Sequence, residues 1–307
     1  MGALDGRVAI VTGAVRGLGR AHALLLASEG AQVVVNDLGG EWDGVGADNR
    51  PAQQVVEEIE AAGGKAVANY DDVASWDGAE AMVNQAIEHF GTLDVLVNNA
   101  GILRDKMSFN LDEQDWDSVV KVHLKGHFAP SRFVISYWRA RSKAGEDVYG
   151  RIVNTSSESG LFGNAGQSNY AAAKGGIVSL TWALARACPR RGVPGTALAP
   201  RARTRMTEGT FGALLPTPAE GEFDPVAPEN VSPLVAYLAS PAAAHVSGQV
   251  FLVWADEVQL VEGFKLSTSV KAGGRAWTVD ELITSGGAQL FADHDPGVPP
   301  FGIPGLG

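Results

Sequence analysis

Tyr170 and Lys174 stand four residues apart in SNYAAAKGG, and Ser157 in VNTSSESG lies thirteen residues before the tyrosine. A phenol loses its proton near pH ~10, too high for acid–base work at neutral pH. A lysine one helical turn on shares the tyrosine's helix face, and its positive charge is expected to lower the phenol's pKa. A serine hydroxyl at a strand end can hold a carbonyl oxygen against the phenol. Such a trio suits proton exchange at a C–O oxygen while a hydride moves at the carbon. Of the five tyrosines, only Tyr170 has a lysine four residues later.

The elements that must position this trio begin at the N-terminus. Residues 7–12, RVAIVT, form an apolar run suited to a buried parallel strand. They lead into TGAVRGLG, with Gly13, Gly17 and Gly19, and then into a helix rich in Ala and Leu. Glycines in such a turn let the backbone approach a pyrophosphate, and the helix N-terminus offers free N–H groups. The turn, Arg16 and Leu18 included, is a candidate dinucleotide cradle. Asp37 closes the second strand, QVVVND, twenty residues beyond Gly17. An acid there binds ribose hydroxyls and repels a 2′-phosphate, so NAD is favoured; the plain alternative is a solvated strand-end aspartate. Arg16, a guanidinium able to pair with a phosphate, keeps NADP open.

With LVNNAG between them, these two anchors resemble the short-chain dehydrogenase/reductase family, over about Arg7 to Phe251. The resemblance implies that Ser157, Tyr170 and Lys174 are catalytic and that Tyr170 and Lys174 also meet the cofactor. It further implies that Asn98, Asn99, Ala100 and Gly101 border the cofactor, that Asp72 and Val73 contact the adenine, and that Pro200 and Thr204 lie by the nicotinamide. Within the family, VVVNDLGG, GGKAVANYDDV, VHLKGHF and GNAGQSNYAAAK are similar to the (3R)-hydroxyacyl-CoA dehydrogenase unit of type 2 peroxisomal multifunctional enzymes and its stand-alone bacterial relatives.

Three positions depart from the family pattern. His123 stands where most members carry an asparagine that holds a relay water. It can hold that water, or it can be an ordinary hydrogen-bonded helix histidine. TALAPR (Thr196 to Arg201) lacks the glycine that usually follows the proline, which puts the turn beside the nicotinamide in question. Pro194 and Gly195 fall where strand residues are expected, and proline is tolerated only at a strand's start or edge.

Strands are expected near 7–12, 32–37, 65–70, 93–98, 150–156, 193–198 and 249–253, with helices between. That alternation predicts an α/β, Rossmann-type doubly wound parallel sheet of about seven strands, helices on both faces, as one catalytic domain over 1–263. Residues 202–228, proline-punctuated and apolar, read as a substrate lid. Residues 140–149 read as a solvated extension, and Arg201, Arg203 and Arg205 as surface arginines, with contact to coenzyme A phosphates as the alternative. Residues 264–307 form a C-terminal extension, in which Thr278 to Glu281 read as a capping box.

A net charge of −11 argues against a nucleic-acid partner. The single cysteine, Cys188, excludes an internal disulfide, and the six histidines are scattered without ligand spacing, so no metal is expected. No apolar run reaches membrane-span length and no signal pattern opens the chain, so a cytoplasmic protein is expected. By resemblance, it is a homodimer or homotetramer. The leading substrate is a 3-hydroxyacyl or 3-oxoacyl thioester. A bulky free ketone or alcohol (steroid, terpenoid or polyketide) is the second reading, and a non-catalytic nucleotide sensor the third.

Overall fold

The computed structural model describes residues 2–40, 43, 46, 50–187, 195–207, 218–219 and 221–293. By contact clustering the chain falls into two units, Met1–Val261 and Glu262–Gly307.

In the larger unit, strands β1 (Val8–Thr12), β2 (Gln32–Asn36), β3 (Lys65–Asn69), β4 (Val95–Asn98), β5 (Arg151–Thr155), β6 (Gly195–Pro200) and β7 (Val250–Trp254) pair in parallel. Their order is β3-β2-β1-β4-β5-β6-β7, and β8 (Glu257–Val261) closes the sheet antiparallel to β7. The strand order reverses between β1 and β4, which opens a crevice at their carboxyl ends.

Strand periodicity distributes the core. Ala9 and Val11 of β1 face one side, where they meet Leu26, Val55, Ile59 and Val235. Val8 and Ile10 face the other, with Met82, Val83, Val134 and Trp138. Helices α1 (Gly17–Ser28) and α2 (Arg50–Ala61) therefore cover one face. Helices α3 (Trp76–Phe90) and α5 (Gly126–Lys143) cover the other. Each such buried aliphatic or aromatic side chain stabilises the fold by roughly 1.5–3 kcal/mol. Trp138, fully enclosed, spends its one polar atom on Leu93 O at 2.6 Å.

Local signals fix the helix ends. Ser75 accepts from Gly78 N to start α3, which ends at Gly91 in the left-handed region. Asp112 accepts from Asp115 N at 2.8 Å to start α4 (Glu113–Val120). A π-helical turn, Lys121–Lys125, joins α4 to α5, so the long helix expected after β4 is interrupted at His123.

Two expectations change. An eighth strand, β8, was absent from the sequence reading. Residues 140–149 are not simply solvated: α5 runs to Lys143, and the Tyr149 ring lies 3.7 Å from the Arg7 guanidinium and 4.2 Å from that of Arg151. Strand β6 starts at Gly195; Pro194 and Cys188 lie outside the described residues, as do Phe211, Leu214 and Leu215 of the expected lid.

In the smaller unit the capping box is complete. Thr278 Oγ1 accepts from Glu281 N at 3.2 Å, and the Glu281 carboxylate accepts from Thr278 N at 3.1 Å.

Candidate active site

The glycine turn follows β1, and contacts a Cβ would violate explain its composition. A Cβ on Gly19 would lie 2.0 Å from Gly13 O and 2.6 Å from Asn99 Nδ2. On Gly13, which also has φ +65°, it would lie 2.8 Å from Ala100 Cα. The turn is laced to the end of β4. Thr12 Oγ1 accepts from Asn99 N (2.9 Å) and Ala100 N (3.1 Å), and Asn99 Nδ2 donates to Thr12 O and Gly13 O. Arg16 occupies the N-cap of α1 without a side-chain cap bond, so no side chain answers the helix's first N–H groups from that position. Leu18 packs its side chain into the core, and Thr204 stands over Gly17, its Cγ2 3.1 Å from where a Cβ there would be.

Asp37 sits one residue past β2, held by its N–H on Asn69 O, and its Oδ1 accepts from Gly39 N at 2.7 Å. Burial raises its pKa against opposing pulls from the Gly39 and Val15 amides and the Arg16 and Arg205 charges. Asp72 Oδ1 accepts from Ala74 N, and Lys121 Nζ lies 3.5 Å from its other oxygen. Val73 is buried against the start of α5. Gly101 is shaped by His123: a Cβ on it would lie 2.3 Å from the imidazole Cε1. Pro200 ends β6 opposite Val253.

Ser157 caps α6 (Glu158–Phe162), two residues beyond β5, with its Oγ accepting from Ser159 N at 3.3 Å. Tyr170 lies in the first turn of α7 (Ser168–Ala187), close enough to Ser157 for that hydroxyl to lower its pKa. Lys174, 2% exposed, extends below the tyrosine, its Nζ 5.5 Å from the ring centroid and 2.7 Å from Thr155 O. The His123 ring meets the Tyr170 ring edge-on at 5.1 Å. Its Nε2 lies 2.7 Å from Ile102 O and 3.1 Å from Ile102 N, and the buried Nδ1 has no hydrogen-bond partner among the described residues. The structure thus gathers Ser157, Tyr170, Lys174 and His123 at the carboxyl ends of β4 and β5. The glycine turn sits at the end of neighbouring β1.

The electrostatics overturn one expectation. Burial pushes Tyr170 up to about 12; the Ser157 hydrogen bond pulls it down, and the nearby Asp105 carboxylate pushes it further up. Burial also brings Lys174 down to about 7. Lys174 is not among the groups that lower the tyrosine, and its own ammonium is buried. Both histidines beside it are held neutral: burial and the Lys174 charge lower His123 well below its usual range and His127 to about 3.

Sequence spacing passed over several neighbours. Asn169 is fully buried; its Oδ1 accepts from Tyr170 N at 2.8 Å and its Nδ2 donates to Arg104 O. SNYAAAK shows it only as the residue before the tyrosine. Asp105 accepts from Gln167 Nε2 at 2.6 Å. His127 stands one turn after His123. Arg201, expected at the surface, is 3% exposed and forks onto Glu158 with two bonds of 2.5 Å. That pairing accounts for an arginine where the family pattern has glycine.

A doubly wound sheet with a glycine turn at its switch point and a Ser–Tyr–Lys cluster beside it is the architecture of a short-chain oxidoreductase. Residues 7–211 match the short chain dehydrogenase family, and the chain belongs to it. Membership implies a nicotinamide dinucleotide, which the glycine contacts and the free start of α1 fit. The chain is 48% identical to hydroxyacyl-CoA dehydrogenase ChsB1 of Mycobacterium tuberculosis, over 95% of this chain and 91% of that protein. It is 44% identical to peroxisomal multifunctional enzyme type 2 of Drosophila melanogaster, over 84% of this chain but 41% of that longer protein. The crystal structure of a short chain dehydrogenase from Mycobacterium avium superposes with a TM-score of 0.87 at 48% identity, covering 98% of this chain and all of that one.

Proposed function

We propose that the protein interconverts a 3-hydroxyacyl thioester, most simply a coenzyme A ester, and its 3-oxoacyl counterpart. The carrying observation is the cluster in which half-buried Tyr170 stands beside Ser157 and is underlain by buried Lys174. The names of its relatives supply the acyl-CoA class.

The nicotinamide supplies or takes up the hydride. The chain's own part is played at oxygen. Ser157 Oγ holds the substrate oxygen, and Tyr170 Oη gives that oxygen a proton on reduction or removes it on oxidation. Lys174 sits behind the ring, fixed by Thr155 O, where it can steady the phenolate and reach the cofactor's ribose. His123, whose buried Nδ1 has no partner among the described residues, is placed beside this pair to hold a relay water. General acid–base work of this kind contributes ~100–10,000-fold.

Asp37 favours NAD over NADP, although Arg16 and Arg205 flank it. Assembly as a homodimer or homotetramer is read at the helices after β4 and β5, α4–α5 and α7; on the first, Trp116 and Phe128 are about two-fifths exposed. No helix among the described residues is long and apolar enough to cross a membrane. The cytoplasmic reading rests on sequence features alone.

The bulky free-ketone reading gains nothing from the segment after β6, because Arg201 is turned into the protein onto Glu158. The decisive assay compares 3-oxoacyl-CoA with a panel of free ketones, each with NADH and NADPH. The proposal expects the thioester with NADH to give the highest kcat/KM. A free ketone far ahead of it would replace the substrate assignment.

A further inference from the structure

The Arg201–Glu158 pair lies next to Ser157 but is no part of the acid–base machinery. Glu158 is the first residue of the five-residue helix that Ser157 caps. Its carboxylate is gripped by Arg201 Nε and Nη2 in a two-bond fork, with side-chain exposures of 12% and 3%. Arg201 is itself pinned. Its N–H donates to Val253 O at 3.0 Å, and its guanidinium lies 5.0 Å from the Trp254 ring centroid. From the opposite side, Gly160 abuts the α7 backbone, where a Cβ would fall 2.5 Å from Lys174 C.

We propose that Arg201, acting through Glu158, is the positioning residue that sets Ser157 against Tyr170. Placement of Ser157 then has two supports. Gly160 locks the middle of its helix to α7, and the Arg201–Glu158 fork ties the near end to β6 and β7. A fork of this kind fixes direction as well as distance, and lysine cannot reproduce it. This inference rests on the catalytic reading of Ser157 given above.

A double-mutant cycle tests it, with kcat followed on acetoacetyl-CoA or on whichever ketone the panel selects. Arg201→Lys breaks the fork. The pair Arg201→Met with Glu158→Leu removes both charges, and such replacements of a buried ion pair generally fold. Each change is made in the parent and in Ser157→Ala. In the parent, a displaced serine is expected to lower kcat by about 100-fold, with the dinucleotide's KM and the melting temperature little changed. In Ser157→Ala, the same changes are expected to cost less than about 2-fold, since the group they position is gone.

A folded Arg201→Met/Glu158→Leu protein within about 2-fold of the parental kcat overturns the proposal, as do equal losses in both backgrounds. Parental kcat in Ser157→Ala alone instead overturns the catalytic reading of the serine, and the positioning role falls with it. That case is read with Arg201 intact, so the two failures are distinguishable.

Discussion

At the scale of single residues, burial outweighs neighbouring charge. The four-residue spacing of Tyr170 and Lys174 correctly puts them together, but spacing carries no information on dielectric. In the folded chain Lys174 is buried and Tyr170 half-buried, and desolvation drives the phenol up to about 12 and the ammonium down to about 7. Asp105, whose charge also raises the phenol, gives a prediction with a definite sign. Asp105→Asn should move the upper limb of the pH–kcat/KM profile to lower pH, because a carboxylate that opposes phenolate formation is gone. An unmoved or upward-shifted limb would show that the carboxylate does not act on Tyr170. Lys174 gives a second prediction. Between its folded value near 7 and its ordinary 10.5, the unfolded chain carries a proton the folded chain lacks. Stability from this group therefore rises as pH increases through that window and is lowest below it. Lys174→Met should flatten the slope of melting temperature against pH from 7 to 9, read by calorimetry on the dinucleotide-free protein.

At the scale of elements, the sequence was clearest where period and turn chemistry agree. The continuous apolar runs of β1, β2 and β4 mark strands buried on both faces, and the glycine turn announces itself by three glycines in eight residues. Gly19→Ala tests that turn. Its Cβ meets Gly13 O and the Asn99 amide, so dinucleotide affinity measured by fluorescence titration should collapse, with a stability loss of about 1–3 kcal/mol from overpacking. Unchanged affinity would mean that the dinucleotide does not approach the turn. Strand β8 was not legible for a physical reason. Its alternation is inverted, with Val258 and Leu260 exposed, and its hairpin turns on Ala255 at φ 49° where glycine or asparagine is the usual signal. The π-helical turn at His123 was likewise hidden, since an added backbone residue leaves no compositional mark.

For the whole molecule, the doubly wound parallel sheet followed from strand–helix alternation. The Arg201–Glu158 pairing did not, because its partners are forty-three residues apart and only the finished sheet brings them together. Assembly is tested on the same scale. Phe128→Asp should break the proposed α4–α5 contact, so that light scattering reports a smaller particle at unchanged far-UV circular dichroism. A particle of parental mass would move the interface elsewhere. The central claim is that the half-buried tyrosine exchanges the substrate's proton at a nicotinamide site. Its most direct measurement is steady-state turnover of acetoacetyl-CoA by Tyr170→Phe alongside NADH binding by the same variant. The account predicts that kcat falls by ~100-fold or more while NADH affinity stays within about 3-fold of the parent. Parental kcat in that variant would contradict it.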